Sequence, residues 1–147
     1  MTRKNVSNRI RIMPSGHWDW PIPTKFSQGW KIGNTVYVGG QVSQSADGVV
    51  LHPGDIEAQI QTVFENIRSV LREVGGDLED IVKLNTYYVY DGHDTDEFYK
   101  KMTRVRMAYL ADAGPAATAV RVAGLALDGL VVEIEAIAVL TEMDTKS

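Results

Sequence analysis

The last two extended segments of the chain constrain its fold most, because they are apolar on both sides. They span residues 116–125 and 130–140. In the first segment Val120 and Val122 alternate with Ala117, Ala119 and Arg121. The second segment is apolar except for Glu133 and Glu135. Side chains alternate between the two faces of a strand, so strands of this kind belong to a sheet that is covered on both faces. The sequence therefore predicts a sheet between two packed layers.

Two amphipathic helices are predicted to form one of these layers. Apolar residues recur at steps of three and four in two stretches, of which the first ends at Gly75-Gly76 and the second near Gly114-Pro115. The first stripe consists of Ile56, Ile60, Val63, Phe64, Ile67, Val70, Leu71 and Val74. The second consists of Phe98, Met102, Val105 and Tyr109. Both stripes are expected to pack on the same face of the sheet.

Three further segments are predicted to complete the sheet. Residues 26–32 and 35–39 flank Gly33-Asn34, a pair typical of a tight hairpin turn. Residues 81–90 are rich in Val, Leu, Thr and Tyr, as strands are. The order hairpin, helix, strand, helix and two strands predicts an α+β domain with both helices on one face of a mixed sheet. A closed homo-oligomer is the simplest cover for the other face.

One domain is predicted for the 147 residues, 44% of which are apolar. It spans residues 26–141, preceded by a leader at residues 1–25 that is part of the same domain and followed by a tail at residues 142–147. The leader is basic at its start but has no long apolar run, so we expect neither a secretory signal nor a membrane anchor. It is expected to be solvated and to dock on a neighbouring subunit. A cytoplasmic location follows as the expectation.

The composition excludes several kinds of chemistry. The chain has no cysteine, which excludes disulfides, thiolate catalysis and cysteine metal sites. Its formal charge of −4 is spread without a basic stripe, so we expect no nucleic-acid partner. His17, Asp19, His52 and His93 lack the spacing of zinc or iron ligands, so no metal site is predicted.

Four short motifs resemble the Rid (YjgF) family. They are Ser27-Gln28-Gly29, Gly39-Gly40-Gln41, Asp80-Ile81-Val82-Lys83 and Glu133-Ile134-Glu135-Ala136, and the resemblance runs from about residue 26 to residue 139. It implies a homotrimer of chorismate-mutase-like fold with a small-molecule site in the cleft at each subunit interface. It also implies hydrolytic deamination of an imine or enamine without a cofactor, in which water adds to the C=N carbon and ammonia leaves.

Glu133 is the candidate catalytic residue, because the matching glutamate of the family positions or activates the attacking water. Burial in an apolar strand raises the pKa of a carboxyl group, which suits a proton carrier. Gln41, or a backbone carbonyl of the cleft, is expected to help hold the water. Pairing of Glu133 or Glu135 with Arg121, Lys83 or another base within the trimer is the structural alternative.

Three positions depart from the family's carboxylate-binding site. Ala117 stands where the family has the arginine that grips a substrate carboxylate, Gly39 where many relatives have serine, and Phe26 where they often have tyrosine. Arg121 follows four residues later, roughly 13 Å along a strand, which is too far to replace that arginine. The resemblance therefore implies a ligand other than the common 2-imino acids. Gly39 and its neighbour Gly40 are equally consistent with a β-bulge or a tight subunit contact.

The leader contains an unusual concentration of rings just before the first hairpin. If this segment folds over the interface cleft, we expect Trp18 or Trp20 to shape the pocket with Phe26, and His17 to act as an acid or base oriented by Asp19. The alternative is aromatic packing, in which the two indoles fill a gap and His17 caps a turn.

The predicted function is thus hydrolytic deamination of a small imine, enamine or related C=N compound. A non-catalytic trimer that binds a small metabolite or regulates a partner is the alternative from another class. A further alternative is a catabolic-pathway deaminase of the aminomuconate type, in which the tryptophans recognise a conjugated substrate. Nuclease activity, which has been attributed to family members, has no phosphate-binding basic patch to support it here.

Overall fold

The structure, a computed structural model, describes residues 8–141. Within this range six strands form one sheet, in the order β1-β2-β3-β6-β4-β5. The strands are β1 (Arg9–Ile12), β2 (Gly29–Ile32), β3 (Thr35–Gln41), β4 (Ile81–Tyr88), β5 (Ala116–Arg121) and β6 (Val132–Val139). β4 and β5 are parallel and all other neighbours are antiparallel, so the sheet is mixed.

Two helices, α1 (Ile56–Arg72) and α2 (Thr95–Tyr109), cover one face of this sheet. Asp55 accepts a hydrogen bond from the Ala58 backbone N–H and so caps the first turn of α1. The apolar stripe of α1 is buried, with Phe64 at its centre stacked on Tyr109 of α2 at 5.3 Å between ring centroids. The predicted α+β fold, with both helices on one face of a mixed sheet, is confirmed.

The two faces of the sheet carry different side chains. The residues of β4 and β6 that face the helices are Leu84, Thr86, Tyr88, Val132, Ile134, Ala136 and Ala138, and all are buried. The residues between them, such as Glu133 and Glu135, point to the opposite face, which neither helix covers. Every residue of β5 is exposed. One chain therefore leaves one face of its sheet and an edge strand open.

Six strand boundaries differ from the predictions, among them the ends of β4 at Tyr88 and of β6 at Val139. β2 begins at Gly29 rather than at residue 26, and β3 continues to Gln41. β5 ends at Arg121, and β6 begins at Val132. These ends follow tertiary pairing, because beyond them the ladders are reduced to isolated backbone bonds, such as those from Val122 N–H to Tyr88 O and from Val89 N–H to Val131 O.

The leader contributes more to the fold than the sequence indicated. Arg9–Ile12 form β1, which pairs with β2 of the same chain, and Ile12 is buried in the core. The expectation of a wholly solvated leader is therefore wrong for these residues. Residues 1–7 and the predicted tail at 142–147 lie outside the described residues. Neither helix in residues 8–141 is both long and apolar enough to cross a membrane.

Candidate active site

The Glu133 carboxyl group lies directly against the backbone of Gly40. β3 contains an extra residue at this point: Val38 pairs with Ala136 and Gln41 with Ile134, which is the β-bulge considered as an alternative role for the glycine pair. A Cβ atom added to Gly40 would collide with Oε1 of Glu133 and lie 3.0 Å from its Cδ. The missing side chain of Gly40 thus makes room for the carboxyl group.

Glu133 is in a setting that favours its protonated form. Its side chain is half-buried on the helix-free face of β6. Burial, and to a smaller extent the neighbouring Glu135 carboxylate, raises the pKa of Glu133 above the usual value for glutamate. A carboxyl group with a raised pKa exchanges protons more readily near neutral pH.

Glu135 is held by neutral groups and not by a cation. Its Oε1 accepts hydrogen bonds from Asn85 Nδ2 at 3.0 Å and from the Tyr87 hydroxyl at 2.9 Å. The latter bond raises the pKa of Tyr87. Lys83 Nζ donates instead to Thr118 Oγ1, and the Arg121 guanidinium lies over the ring of Tyr90. Within residues 8–141 the alternative of an ion pair for Glu133 or Glu135 is therefore not observed.

A cavity of about 340 Å³ opens on the same face as the two glutamates. Its polar lining includes Ser27, Lys83, Asn85 and Glu135, and Gly39 lies at its wall. Asn85 Oδ1 is buried without a hydrogen-bond partner among the described residues. Asn85 was not identified from the sequence. The alternation of Lys83 and Asn85 with buried residues along β4 could have indicated that both side chains lie on the helix-free face.

Gln41 is fully occupied by protein partners. Its Oε1 lies 2.7 Å from His17 Nε2 and accepts from Trp18 Nε1 at 3.0 Å. Its Nε2 donates to Gln28 Oε1 at 2.8 Å and to Gly39 O at 3.1 Å. The side chain is completely buried, so it does not offer a group to a water molecule as predicted. Gln41 holds its neighbours in place instead.

The rings of the leader form one cluster beside the end of β3. Trp18 is 3% exposed, and its ring centroid lies 5.5 Å from those of both Trp20 and Phe26. This is the packing alternative for Trp18, whereas Trp20 and Phe26 remain partly accessible. Asp19 does not orient His17: its carboxylate accepts from the Trp20 backbone N–H, and Gln41 takes the place beside the imidazole.

Ala117 and Glu133 lie on opposite faces of the sheet. Ala117 pairs with Leu84, which faces the helices, whereas Glu133 pairs with Tyr87 on the helix-free face. Arg121 lies on the same side of β5 as Ala117. One chain therefore does not bring Ala117 and Glu133 together, and a site that contains both requires two chains.

No group of three or more His, Asp or Glu side chains in residues 8–141 is arranged to hold a metal ion. The positions identified from the sequence thus separate into three places: Glu133 with Gly39 on the helix-free face, the cluster of Gln41 and the leader rings at the end of β3, and Ala117 on β5. The sequence analysis did not predict that Gly40 makes room for the Glu133 carboxyl group. The feature that could have indicated this role is a glycine pair in a strand next to an acidic strand.

Known structures share this arrangement of sheet and helices, which is the YjgF-like fold. The crystal structure of RidA from an Antarctic Psychrobacter species matches with a TM-score of 0.74 and 33% identity, covering 89% of this chain and 99% of that one. A putative endoribonuclease from Thermotoga maritima matches with a TM-score of 0.75 and 28% identity, covering 90% and 98%.

The family model described as Endoribonuclease L-PSP matches residues 21–140. The chain is 39% identical over 113 residues to a RutC family protein of Pyrococcus abyssi, covering 77% of this chain and 84% of that protein. It therefore belongs to the Endoribonuclease L-PSP family, to which the YjgF, RutC and Rid proteins also belong. The predicted family is confirmed.

Proposed function

We propose that this protein hydrolyses a small imine, enamine or related C=N compound to a carbonyl compound and ammonia. The observation that carries the proposal is the Glu133 carboxyl group, which is half-buried, has a raised pKa and rests on a glycine backbone. A protonated imine is already electrophilic, so the enzyme has only to hold it, orient a water molecule and move protons. Amino-acid side chains supply these functions, and the proposal includes no cofactor.

The site is proposed to form between subunits of a homotrimer. Members of the family are typically trimers. The open sheet face and the exposed β5 of this chain support the same assembly, because a second copy would cover both. The separation of Ala117 from Glu133 on opposite faces supports it independently. A ligand in such a cleft contacts β5 of one subunit and the Glu133 face of its neighbour.

The substrate is proposed to lack the carboxylate of the common 2-imino acids. Three groups that would bind a carboxylate are replaced by Ala117, Gly39 and Phe26, while Glu133 is retained. Ala117 is exposed, and no described cation except Arg121 lies on its side of β5. The accessible faces of Phe26 and Trp20 favour an apolar or conjugated substrate.

The test is an assay of the purified protein on imines generated in the cuvette by an amino-acid oxidase, next to N–H imines generated by an amine oxidase from amines that lack a carboxylate. Release of ammonia is followed against the spontaneous rate. We expect acceleration for the neutral imines and little for those that bear a carboxylate. Spontaneous rates for every imine, together with saturable binding of one of them, would instead establish the non-catalytic binding trimer.

Ala117→Arg is expected to raise kcat/KM for carboxylate-bearing imines by about tenfold or more. Charge-assisted hydrogen bonds contribute about 1.5–3 kcal/mol each, and about 1.4 kcal/mol corresponds to a factor of ten. Ala119→Arg is the matched control, because Ala119 is exposed on the same side of β5, two residues further along. Equal gains in the two variants would show that added charge, and not position 117, is responsible.

Two alternatives are distinguished by specific features. The loss of an anchor at Ala117 favours a binding or regulatory trimer, and the accessible Trp20 and Phe26 rings favour a catabolic deaminase of the aminomuconate type.

The cytoplasmic location stays a prediction, since a yeast relative, the Saccharomyces cerevisiae protein Mmf1, is mitochondrial. That relative is 33% identical over 119 residues, which are 81% of this chain and 77% of that protein.

A further inference from the structure

The orientation of the Gln41 amide is determined by partners that have only one hydrogen-bonding role. Trp18 Nε1 is exclusively a donor, so the Gln41 atom 3.0 Å from it must be the oxygen. The other end of the amide lies 3.1 Å from the backbone oxygen of Gly39, which is exclusively an acceptor, so that end must be the nitrogen. Rotating the amide by half a turn would place like groups against each other on both sides.

This orientation in turn determines the tautomer of His17. His17 Nε2 lies 2.7 Å from Gln41 Oε1, which only accepts, so Nε2 must carry the hydrogen. In a neutral imidazole the second nitrogen, Nδ1, then carries a free lone pair. Burial lowers the pKa of His17 below its usual value, and the bond to Gln41 offsets only part of this effect, so the neutral ring is favoured.

The ring of His17 is half-buried, and its Nδ1 atom has no hydrogen-bond partner among residues 8–141. Gln28 reinforces the arrangement, because its Nε2 donates to the Trp18 backbone oxygen at 2.7 Å while its Oε1 accepts from Gln41. Such a buried network orients a functional side chain from behind.

His17 and Glu133 contact two consecutive residues of one strand, Gln41 and Gly40. The imidazole is bonded to the side chain of Gln41, and the carboxyl group of Glu133 rests on Gly40. β3 ends at Gln41, and β6 begins at Val132, so both contacts lie at the same end of this strand pair. The side chain of Gln41 lies on the side of Ile134, with which Gln41 pairs, whereas Glu133 lies on the helix-free face. A small molecule that spans this end of the two strands would reach both groups.

We propose that His17 is a catalytic base of the imine hydrolysis, and that Gln41 is a positioning residue that keeps Nδ1 of His17 free to accept a proton. The inference rests on the proposed function. In the addition step a water oxygen forms a bond to the carbon of the protonated imine, the C=N π electrons pass to nitrogen, and the water gives one proton to His17 Nδ1. The Nε2–H bond to Gln41 persists when the ring becomes an imidazolium.

The second half of the reaction returns that proton. The imidazolium protonates the nitrogen of the tetrahedral intermediate, the Glu133 carboxylate accepts the proton of the new hydroxyl group, and the C–N bond breaks as the C=O bond forms. Ammonia then takes the proton from Glu133, so the net products are a carbonyl compound and ammonium. Burial lowers the pKa of His17 and raises the pKa of Glu133, so the two pKa values lie closer together and each group can take up and release a proton within one cycle.

The first experiment reads the tautomer directly, without reference to activity. The chain contains three histidines, so the ring nitrogen signals of protein labelled with ¹⁵N-histidine can be assigned from His17→Gln and His93→Gln variants. We expect Nε2 of His17 to be protonated and Nδ1 unprotonated at neutral pH. The opposite tautomer, or an equal mixture of the two, overturns the inference. Gln41→Glu is expected to shift the His17 signals towards the imidazolium.

The second experiment measures kcat and KM for His17→Gln. Glutamine still offers an N–H group to Gln41 but has no basic nitrogen, and removal of a general base costs about 10²-fold or more. We expect this loss in kcat with little change in KM, whereas His93→Gln, an exposed control, leaves both unchanged. Near-ultraviolet circular dichroism of the Trp18 and Trp20 cluster establishes that the variant is folded.

The outcomes separate the two hypotheses. Turnover by the wild-type protein that is unchanged in His17→Gln overturns the role of His17 and leaves the proposed function intact. Absence of turnover by the wild-type protein overturns the proposed function and the catalytic role of His17 together. A rise in KM alone would assign His17 to binding and likewise overturn its role as a base.

Discussion

Replacement of Glu133 by glutamine is expected to lower kcat/KM for imine hydrolysis by about 10²–10⁴-fold, the usual contribution of general acid–base catalysis. Glutamine has the same shape and fits over Gly40, but it neither accepts nor releases a proton. The half-buried position and the raised pKa of Glu133 identify this carboxyl group as the one adapted to proton transfer. The loss is therefore expected in kcat, with stability and oligomeric state unchanged.

Glu135→Gln provides the matched control for this prediction. Glu135 is two residues away on the same strand and face, but its carboxylate is bonded to Asn85 and Tyr87. An amide oxygen can accept the same two bonds, so we expect a change of only a few fold. The measurement is kcat/KM of both variants on the same imine. Equal losses in the two variants, or activity of Glu133→Gln within a few fold of wild type, would contradict the assignment.

Replacement of Gly40 by alanine is expected to lower kcat/KM by about 10²-fold, while the protein remains folded. The new methyl group would occupy the space of the Glu133 carboxyl group. Because the obstructed atoms are the end of a flexible side chain, Glu133 rotates away at little cost to the fold. A displacement of about 1 Å in a catalytic group is sufficient for a loss of this size.

The double variant Gly40→Ala, Glu133→Gln tests whether Gly40 acts through Glu133. If it does, alanine at position 40 has little further effect once the carboxyl group is gone, and the two losses are strongly non-additive. Gly124→Ala is the control for the backbone, because its added methyl group would meet no atom within 4 Å. Additive losses in the double variant, or a fall in melting temperature that accounts for the lost activity, would refute the positioning role.

Much of the fold was predictable because it depends on local periodicity. The α1 stripe centred on Phe64 repeats over several turns, so no tertiary contact is needed to recognise it. β4 and β6 were found from their apolar and β-branched residues. β1 was missed because its four residues lie in a basic leader that was expected to be solvated, although alternation of arginine and isoleucine is typical of a half-buried strand. Its strand conformation comes from pairing with β2, a contact that local sequence does not encode.

The candidate site was predictable residue by residue but not in its arrangement. Glu133 was identified by resemblance, and the aromatic leader by its composition. His17 was expected to pair with Asp19, but its imidazole is hydrogen-bonded to Gln41, and the Asp19 carboxylate accepts a hydrogen bond from the Trp20 backbone N–H. The contact between His17 and Gln41 could not be predicted from the sequence, because the two residues are 24 positions apart. They come together only when the leader folds against the end of β3.

The sequence by itself determined the secondary structure pattern, the family and the chemical groups that are present or missing, including the alanine at position 117. These are properties of residue types and their spacing. Only the tertiary structure decided that Glu133 rests on Gly40 and that Ala117 faces away from Glu133. It also decided that the Gln41 side chain forms all its hydrogen bonds with protein groups, one of which is Nε2 of His17, so that Nδ1 of His17 is left free. The physical reason is that each of these depends on strand register and on which face of the sheet a side chain occupies, and a shift of one residue would reverse that choice.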